Sequence, residues 1–184
     1  MYASVFVGTS LDGFIARRDG ALDFLPPDGG EPHGYDEFMA TVDALVIGRN
    51  TYETVLGFAA WAYGQKPVFV LSTRALATSP AGAIVERLAG EPADIVAQLD
   101  SRGMRHVYVD GGDTVQRFLR AGLIDRLILT RVPVLIGNGI PLFGDLPGDL
   151  RLRHIATRSF PSGLVQSEYH LGDASKAHPA PLWT

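Results

Sequence analysis

Short β-branched runs alternate with helical periodicity along this chain, and that alternation confines it to an α/β domain with a mainly parallel sheet. The runs predict strands at Ala3 to Val7, Ala44 to Ile47, Pro67 to Leu71, Ala83 to Val85 and His106 to Val109. Three more follow at Arg126 to Val134, Arg151 to Ser159 and Leu164 to Leu171. "FPSG" separates the last two and signals a hairpin, so the sheet is expected to finish antiparallel. Tyr35, Phe38, Met39 and Val42 recur at i, i+3, i+4 and i+7, which gives one apolar helical stripe. Thr51 opens a further helix, with Asn50 as its cap and Glu53 completing a capping box. Pro92 suits a first helical turn, and Gly122 closes the stripe of Val115, Phe118 and Leu119.

A length of 184 residues fits one domain, expected over 1–172, with a flexible tail over the aperiodic 173–184. Pro26 to Gly34 and Gly57 to Pro67 read as loops. There is no cysteine, which removes disulfides, thiolate catalysis and cysteine-bound metals. The net charge of −4 speaks against a general nucleic-acid binder. No apolar run reaches the ~18 residues of a membrane span, and the N-terminus lacks the basic leader of a signal peptide. A cytoplasmic protein that uses a small molecule, without nucleic acid or membrane, is the expectation.

Ligands of open parallel sheets bind outside the carboxyl ends of the strands. Four such ends carry polar or glycine-rich sequence: "GRNT" (48–51), "STR" (72–74), "DGGDT" (110–114) and "IGNG" (136–139). Arg49 stands beside a helix start whose free N–H groups favour an anion, although a capped helix with a solvated arginine explains the same residues. Ser72, Thr73 and Arg74 offer hydroxyls and a guanidinium, or only a polar turn. Two arginine-bearing ends in consecutive β units favour a phosphate monoester such as the 2′-phosphate of NADPH. Gly111 and Gly112 permit close approach to a diphosphate, with Asp113 or Thr114 as the helix cap. The pair lies outside the usual G-x-G-x-x-G fingerprint. The five histidines have no metal-ligand spacing, so no metal site is expected.

"SLDGFIA", "VIGRNTYE", "VFVLSTR", "VYVDGGDTVQRFL" and "IDRLILTRVPVLIGNGIPLF", in this order, resemble the dihydrofolate reductase-like superfamily. Within it they are most similar to the C-terminal reductase domain of riboflavin-biosynthesis deaminase–reductases. The resemblance implies a three-layer domain on a mixed, mostly parallel sheet of about eight strands, NADPH as cofactor and hydride transfer. It would put Arg49, Ser72, Thr73 and Arg74 on the 2′-phosphate and adenosine, and Thr51 on the diphosphate. Gly111 and Gly112, joined by a cis peptide, would meet the diphosphate and nicotinamide ribose. Gly8, Ile15 and Ala16 would line the nicotinamide, with Gly48, Asn50, Leu71, Asp113 and Thr114 completing the cofactor site.

Asp12 is the residue assigned to proton handling, as a carboxyl leaving strand one with a raised pKa. Asp36, Glu37 and Tyr52 stand behind it, and Phe58 and Trp61 are candidates for an apolar wall. On the substrate side "GQKP" (64–67) replaces the folate-carboxylate arginine, and "YETVLGFAAW" replaces the substrate-phosphate segment of the riboflavin enzymes. The implied function is an NADPH-dependent reductase of a small pyrimidine- or pterin-like substrate, like 5-amino-6-(5-phosphoribosylamino)uracil reductase. A non-catalytic NADP(H)- or nucleotide-binding protein, or a flavin mononucleotide binder, are the other readings. Relatives pair as homodimers, and the C-terminal strands could supply such a surface.

Overall fold

The computed structural model describes residues 1–26, 31–76, 78–172 and 183. Its elements run β1 (Tyr2–Ser10), β2 (Phe14–Ala16), α1 (Tyr35–Thr41), β3 (Ala44–Gly48), α2 (Arg49–Leu56), β4 (Val68–Leu71) and β5 (Val85–Leu88). They continue α3 (Pro92–Ser101), β6 (His106–Asp110), α4 (Gly112–Arg120), β7 (Arg126–Val132), β8 (Ile140–Pro141), β9 (Leu152–Ser159) and β10 (Val165–Leu171). Eight strands form one sheet in the order β5-β4-β3-β6-β1-β7-β10-β9. The pairs from β5 through β7 are parallel, and β10 joins both β7 and β9 antiparallel. The mixed sheet and its antiparallel finish match the expectation from the sequence.

Side chains alternate across the sheet with period two and divide the core into two layers. Ala3, Val5, Val46, Val107 and Val109 face Ile95 and Leu99 of α3 and Val115, Phe118 and Leu119 of α4. Phe6, Leu45, Ile47, Tyr108 and Ile128 face Phe38 of α1 and Tyr52 and Val55 of α2. Each buried aliphatic or aromatic side chain contributes roughly 1.5–3 kcal/mol, so helices are held on both faces of the sheet. No helix among the described residues is long and apolar enough to cross a membrane.

Asp43 registers the centre of the sheet. Its Oδ2 accepts the N–H groups of Arg105 at 2.7 Å and His106 at 2.8 Å where β6 begins. Burial opposes ionisation of this carboxyl, but the two donors outweigh it and hold its pKa below the usual carboxylate range. Asp43→Ala is expected to destabilise the fold by about 1–2 kcal/mol, measured by urea denaturation. The wild type keeps this contribution above the unfolded carboxylate pKa and loses it as pH falls through the lower folded value, so the gap between the two proteins closes in acid.

Several local expectations are corrected. Asn50 is not a cap and there is no capping box: Gly48 occupies the cap position of α2, without a side-chain hydrogen bond. Neither Asp113 nor Thr114 caps α4, whose cap position is Gly111. The Gly111–Gly112 peptide is trans, and the chain turns there with Gly111 at φ 92 and ψ 136. β5 lies toward the C-terminus of its expected position. It is an edge strand with Glu86 and Arg87 exposed, so apolar Ala83 and Ile84 misplace it. Ile15 and Ala16 form not merely the exit of a turn but β2, paired with β8. Gly122 does follow α4 in the left-handed region, and Gly122 and Leu123 donate to Leu119 and Phe118 in a Schellman closure. In the tail, Trp183 lies 4.0 Å from the Arg158 guanidinium. The rest of the expected flexible segment, and residues 27–30 of the expected loop, fall outside the described residues.

Candidate active site

A cleft of about 1010 Å³ opens at the carboxyl ends of β1, β3, β4 and β6. That is the top of the ~300–1,000 Å³ range of small-molecule sites and suits two ligands meeting side by side.

One half is built from strand ends and helix starts. β3 runs straight into α2, and β6 into α4, each through a glycine with no side-chain cap. The first N–H groups of both helices are therefore left for another acceptor. The glycines also permit close packing. A Cβ on Gly111 would lie 2.2 Å from Thr51 Oγ1, and one on Gly48 would lie 2.9 Å from Thr114 Oγ1. Gly112 is enclosed by Ile15, Ile140 and Pro141. Gly8, Ile15, Ala16, Gly48, Asn50, Thr51, Leu71, Thr73, Asp113 and Thr114 all border the same cleft as Arg49, Ser72, Arg74 and the glycine pair.

Arg49 is more constrained than a free phosphate ligand. Its Nε donates to Ser72 Oγ at 3.0 Å, Nη1 to Glu53 at 3.0 Å, and Nη2 to the carbonyls of Arg74, at 2.7 Å, and Ala75. It pins the 72–75 turn in place. The turn presents Arg74 exposed, and among the described residues its guanidinium has no hydrogen-bond or salt-bridge partner.

The other half is phenolic and acidic, and it depends on a residue that the sequence reading passed over. Tyr108 and Asp110 lie two apart on β6 and so share one face. Tyr35 from the start of α1 and Tyr63 from the loop before β4 converge on that face. Asp110 Oδ1 accepts the Gly111 N–H at 2.7 Å. Burial pushes the Asp110 carboxyl up to about 6, against the lowering effect of the Gly111 N–H and the Tyr108 hydroxyl. Burial, and next the Asp110 charge, push the phenols of Tyr35, Tyr63 and Tyr108 up, so all three stay protonated at neutral pH. Tyr108 donates its single phenolic proton to the Phe6 carbonyl at 2.6 Å, which fixes its ring between β6 and β1.

Asp12 does not match its expected role. It is exposed, lies outside the cleft wall, and accepts the N–H groups of Ile136 at 3.3 Å and Gly137 at 2.8 Å. A Ser10 hydrogen bond first, and then those backbone donors, hold its pKa below the usual carboxylate range rather than above it. It ties the 10–13 turn to the loop before β8. Asp36 and Glu37 point to solvent. Tyr52 is wholly buried, and Trp61 packs edge-on between it and Tyr63, so only Phe58 of the apolar candidates reaches the cleft. Among the described residues no cluster could hold a metal ion.

A family model, the RibD C-terminal domain, matches residues 2–166. The chain belongs to this family. It is 34% identical over 163 residues to the uncharacterised Bacillus subtilis protein YwjB, covering 85% of this chain and 90% of that one. A solved structure from Shewanella sp. PV-4, provisionally named a riboflavin biosynthesis protein, is 41% identical with a TM-score of 0.85 and covers 94% of this chain and all of its own. Two more distant structures share the fold. The Thermotoga maritima diaminohydroxyphosphoribosylaminopyrimidine deaminase/5-amino-6-(5-phosphoribosylamino)uracil reductase is 14% identical, with a TM-score of 0.70 over 93% of this chain and 56% of its own. Enterococcus faecalis dihydrofolate reductase complexed with NADP(H) is 17% identical, with a TM-score of 0.63 over 94% of this chain and 97% of its own. The RibD C-terminal family and its dihydrofolate reductase-like fold are thus the setting for the cleft.

Proposed function

We propose that this protein is an NADPH-dependent reductase of a small molecule. The observation that carries the reading is the junction of two unlike halves in one cleft. Uncapped helix starts and the 72–74 turn lie on one side, and a protonatable carboxyl among three phenols lies on the other. The residues present fit the cofactor. Two helix starts and a glycine pair suit a diphosphate, and the Ser72–Arg74 turn suits a phosphate monoester. When bound, NADPH supplies a hydride. The chain's own part is to hold the cofactor, exclude water from the reacting face and deliver a proton.

Asp110 is the group proposed to hold that proton. A carboxyl titrating at about 6 is partly protonated near neutrality and reprotonates readily from solvent. The Gly111 N–H orients it, and Tyr35, Tyr63 and Tyr108 line the approach. Arg49 is a positioning residue that holds the turn, while Arg74 reaches the 2′-phosphate. Arg74→Ala is expected to weaken NADPH binding by about ten- to a hundredfold, the size of one or two charge-assisted hydrogen bonds. It should leave NADH affinity within about twofold, since NADH lacks the phosphate that Arg74 meets. Arg49→Ala releases the turn as well, so it should weaken NADPH and also lower the melting temperature. Calorimetric titration with both cofactors checks this. Equal loss of NADPH and NADH affinity in Arg74→Ala would contradict the assignment.

A further inference from the structure

On the reductase reading just given, we propose that the substrate is a flat, uncharged, electron-poor ring that carries neither phosphate nor carboxylate. Three cations border the cleft among the described residues, Arg49, Arg74 and Arg117, and all belong to its cofactor half. Arg49 is bound into the 72–75 turn and Arg74 projects from that turn. Arg117 on α4 donates to the Gly90 carbonyl at 3.2 Å and lies 3.7 Å from Glu91. The opposite half is walled by Tyr35, Tyr63, Tyr108, Phe58 and Leu25 around Asp110.

Of the other cations in the segments beside that half, Arg18 is exposed and does not border the cleft, and Arg158, also outside the cleft wall, donates through Nε to Gln166 and stacks on Trp183. Arg17 pairs with Asp23, and Lys66 Nζ donates to the Val42 carbonyl at 2.6 Å. His33 packs behind Phe6 at 5.5 Å between ring centroids and does not border the cleft. A phosphate or carboxylate entering this half would lose its hydration, find no counter-charge among the described residues that border it and face the Asp110 carboxyl. A neutral ring meets the reverse conditions. The aromatic walls accept its faces, and the protonated phenols donate to its carbonyl or imine acceptors.

The chemistry balances for a conjugated carbonyl or a cyclic imine. The electron-poor carbon accepts the hydride, and its π pair moves to the attached or conjugated heteroatom. That heteroatom takes one proton from Asp110. The substrate gains two electrons and two hydrogens, and NADPH is oxidised to NADP⁺.

The test is thermal unfolding of the full chain saturated with NADP⁺, with a panel of flat rings as probes: uracils, pterins, quinones and cyclic enones. Each ring is supplied neutral and as its phosphate- or carboxylate-bearing counterpart. Neutral members are expected to raise the melting temperature by about 2 °C or more, and their charged counterparts to bind about tenfold more weakly or not at all. Stabilisation by charged members in preference to neutral ones overturns the proposal, and so does a panel in which no neutral ring stabilises. A parallel titration with NADPH separates the two levels. If NADPH binds, either failure falls on the substrate class alone; if it does not, the reductase reading falls and takes the proposal with it.

Discussion

Asp110→Asn is expected to lower the rate of substrate reduction by about 10²–10⁴-fold, the usual worth of a positioned general acid, while NADPH affinity stays within about twofold. Asparagine keeps the shape and can still accept the Gly111 N–H, but it has no acidic proton. The pH profiles carry the distinction. The acid form of Asp110 is needed, so wild-type kcat should fall as pH rises through about 6. The residual rate of the variant should show no step there. A wild-type rate that is flat across this window would remove Asp110 from the chemistry.

The same carboxyl has an opposite effect on folding. Its folded pKa is raised, so the native state binds the proton more tightly than the unfolded chain. Stability is therefore lost as pH rises between the unfolded carboxylate value and about 6. Above that window Asp110→Asn should be more stable than wild type by on the order of 2 kcal/mol, allowing for partial solvent access. A variant that is less active and more stable marks a carboxyl kept for function at a cost to the fold.

Gly111→Ala is expected to be the most damaging single-atom addition, costing about 3–5 kcal/mol of stability and abolishing cofactor binding in whatever protein still folds. Two effects combine. At φ 92 and ψ 136 the backbone occupies a region that alanine rarely adopts. The added Cβ would also stand 2.2 Å from Thr51 Oγ1. Threonine is stiff at χ1, and its position in the first turn of α2 leaves it little room to withdraw. Relief must come from moving α2 or the α4 start, which are the two elements proposed to hold the diphosphate. Denaturation and NADPH titration together check the expectation, and unchanged values for both would contradict the packing account.

The architecture was legible because it rests on local signals. Strand and helix periods, the hairpin at 160–163 and the stop at Gly122 are each written within a few residues. The gathering of the strand ends was legible for the same reason: they are contiguous motifs, and the fold brings 48–51, 71–74 and 111–114 to one cleft. The helix caps were misread because the usual rule expects a polar cap side chain. Here glycines leave the N–H groups open, and nothing local distinguishes a missing cap from an intended vacancy.

The differing surroundings of Asp12 and Asp110 were not legible, for a different reason. Both follow a strand, and their fates depend on distant partners. Asp12 meets Gly137, 125 positions away, and is fixed at the surface. Asp110 is enclosed by Tyr35 and Tyr63 from separate segments, and its pKa rises through that burial. One local clue was available: Tyr108 and Asp110 alternate onto one face of β6, immediately before the glycine pair.

The most direct measurement is a crystal structure of the full chain grown with saturating NADPH. The 2′-phosphate is expected against Ser72, Thr73 and Arg74, the diphosphate between the starts of α2 and α4, and the nicotinamide facing Asp110. A cofactor bound in the reverse sense, with its nicotinamide at the 72–75 turn, or a cleft left empty under those conditions, would contradict this placement.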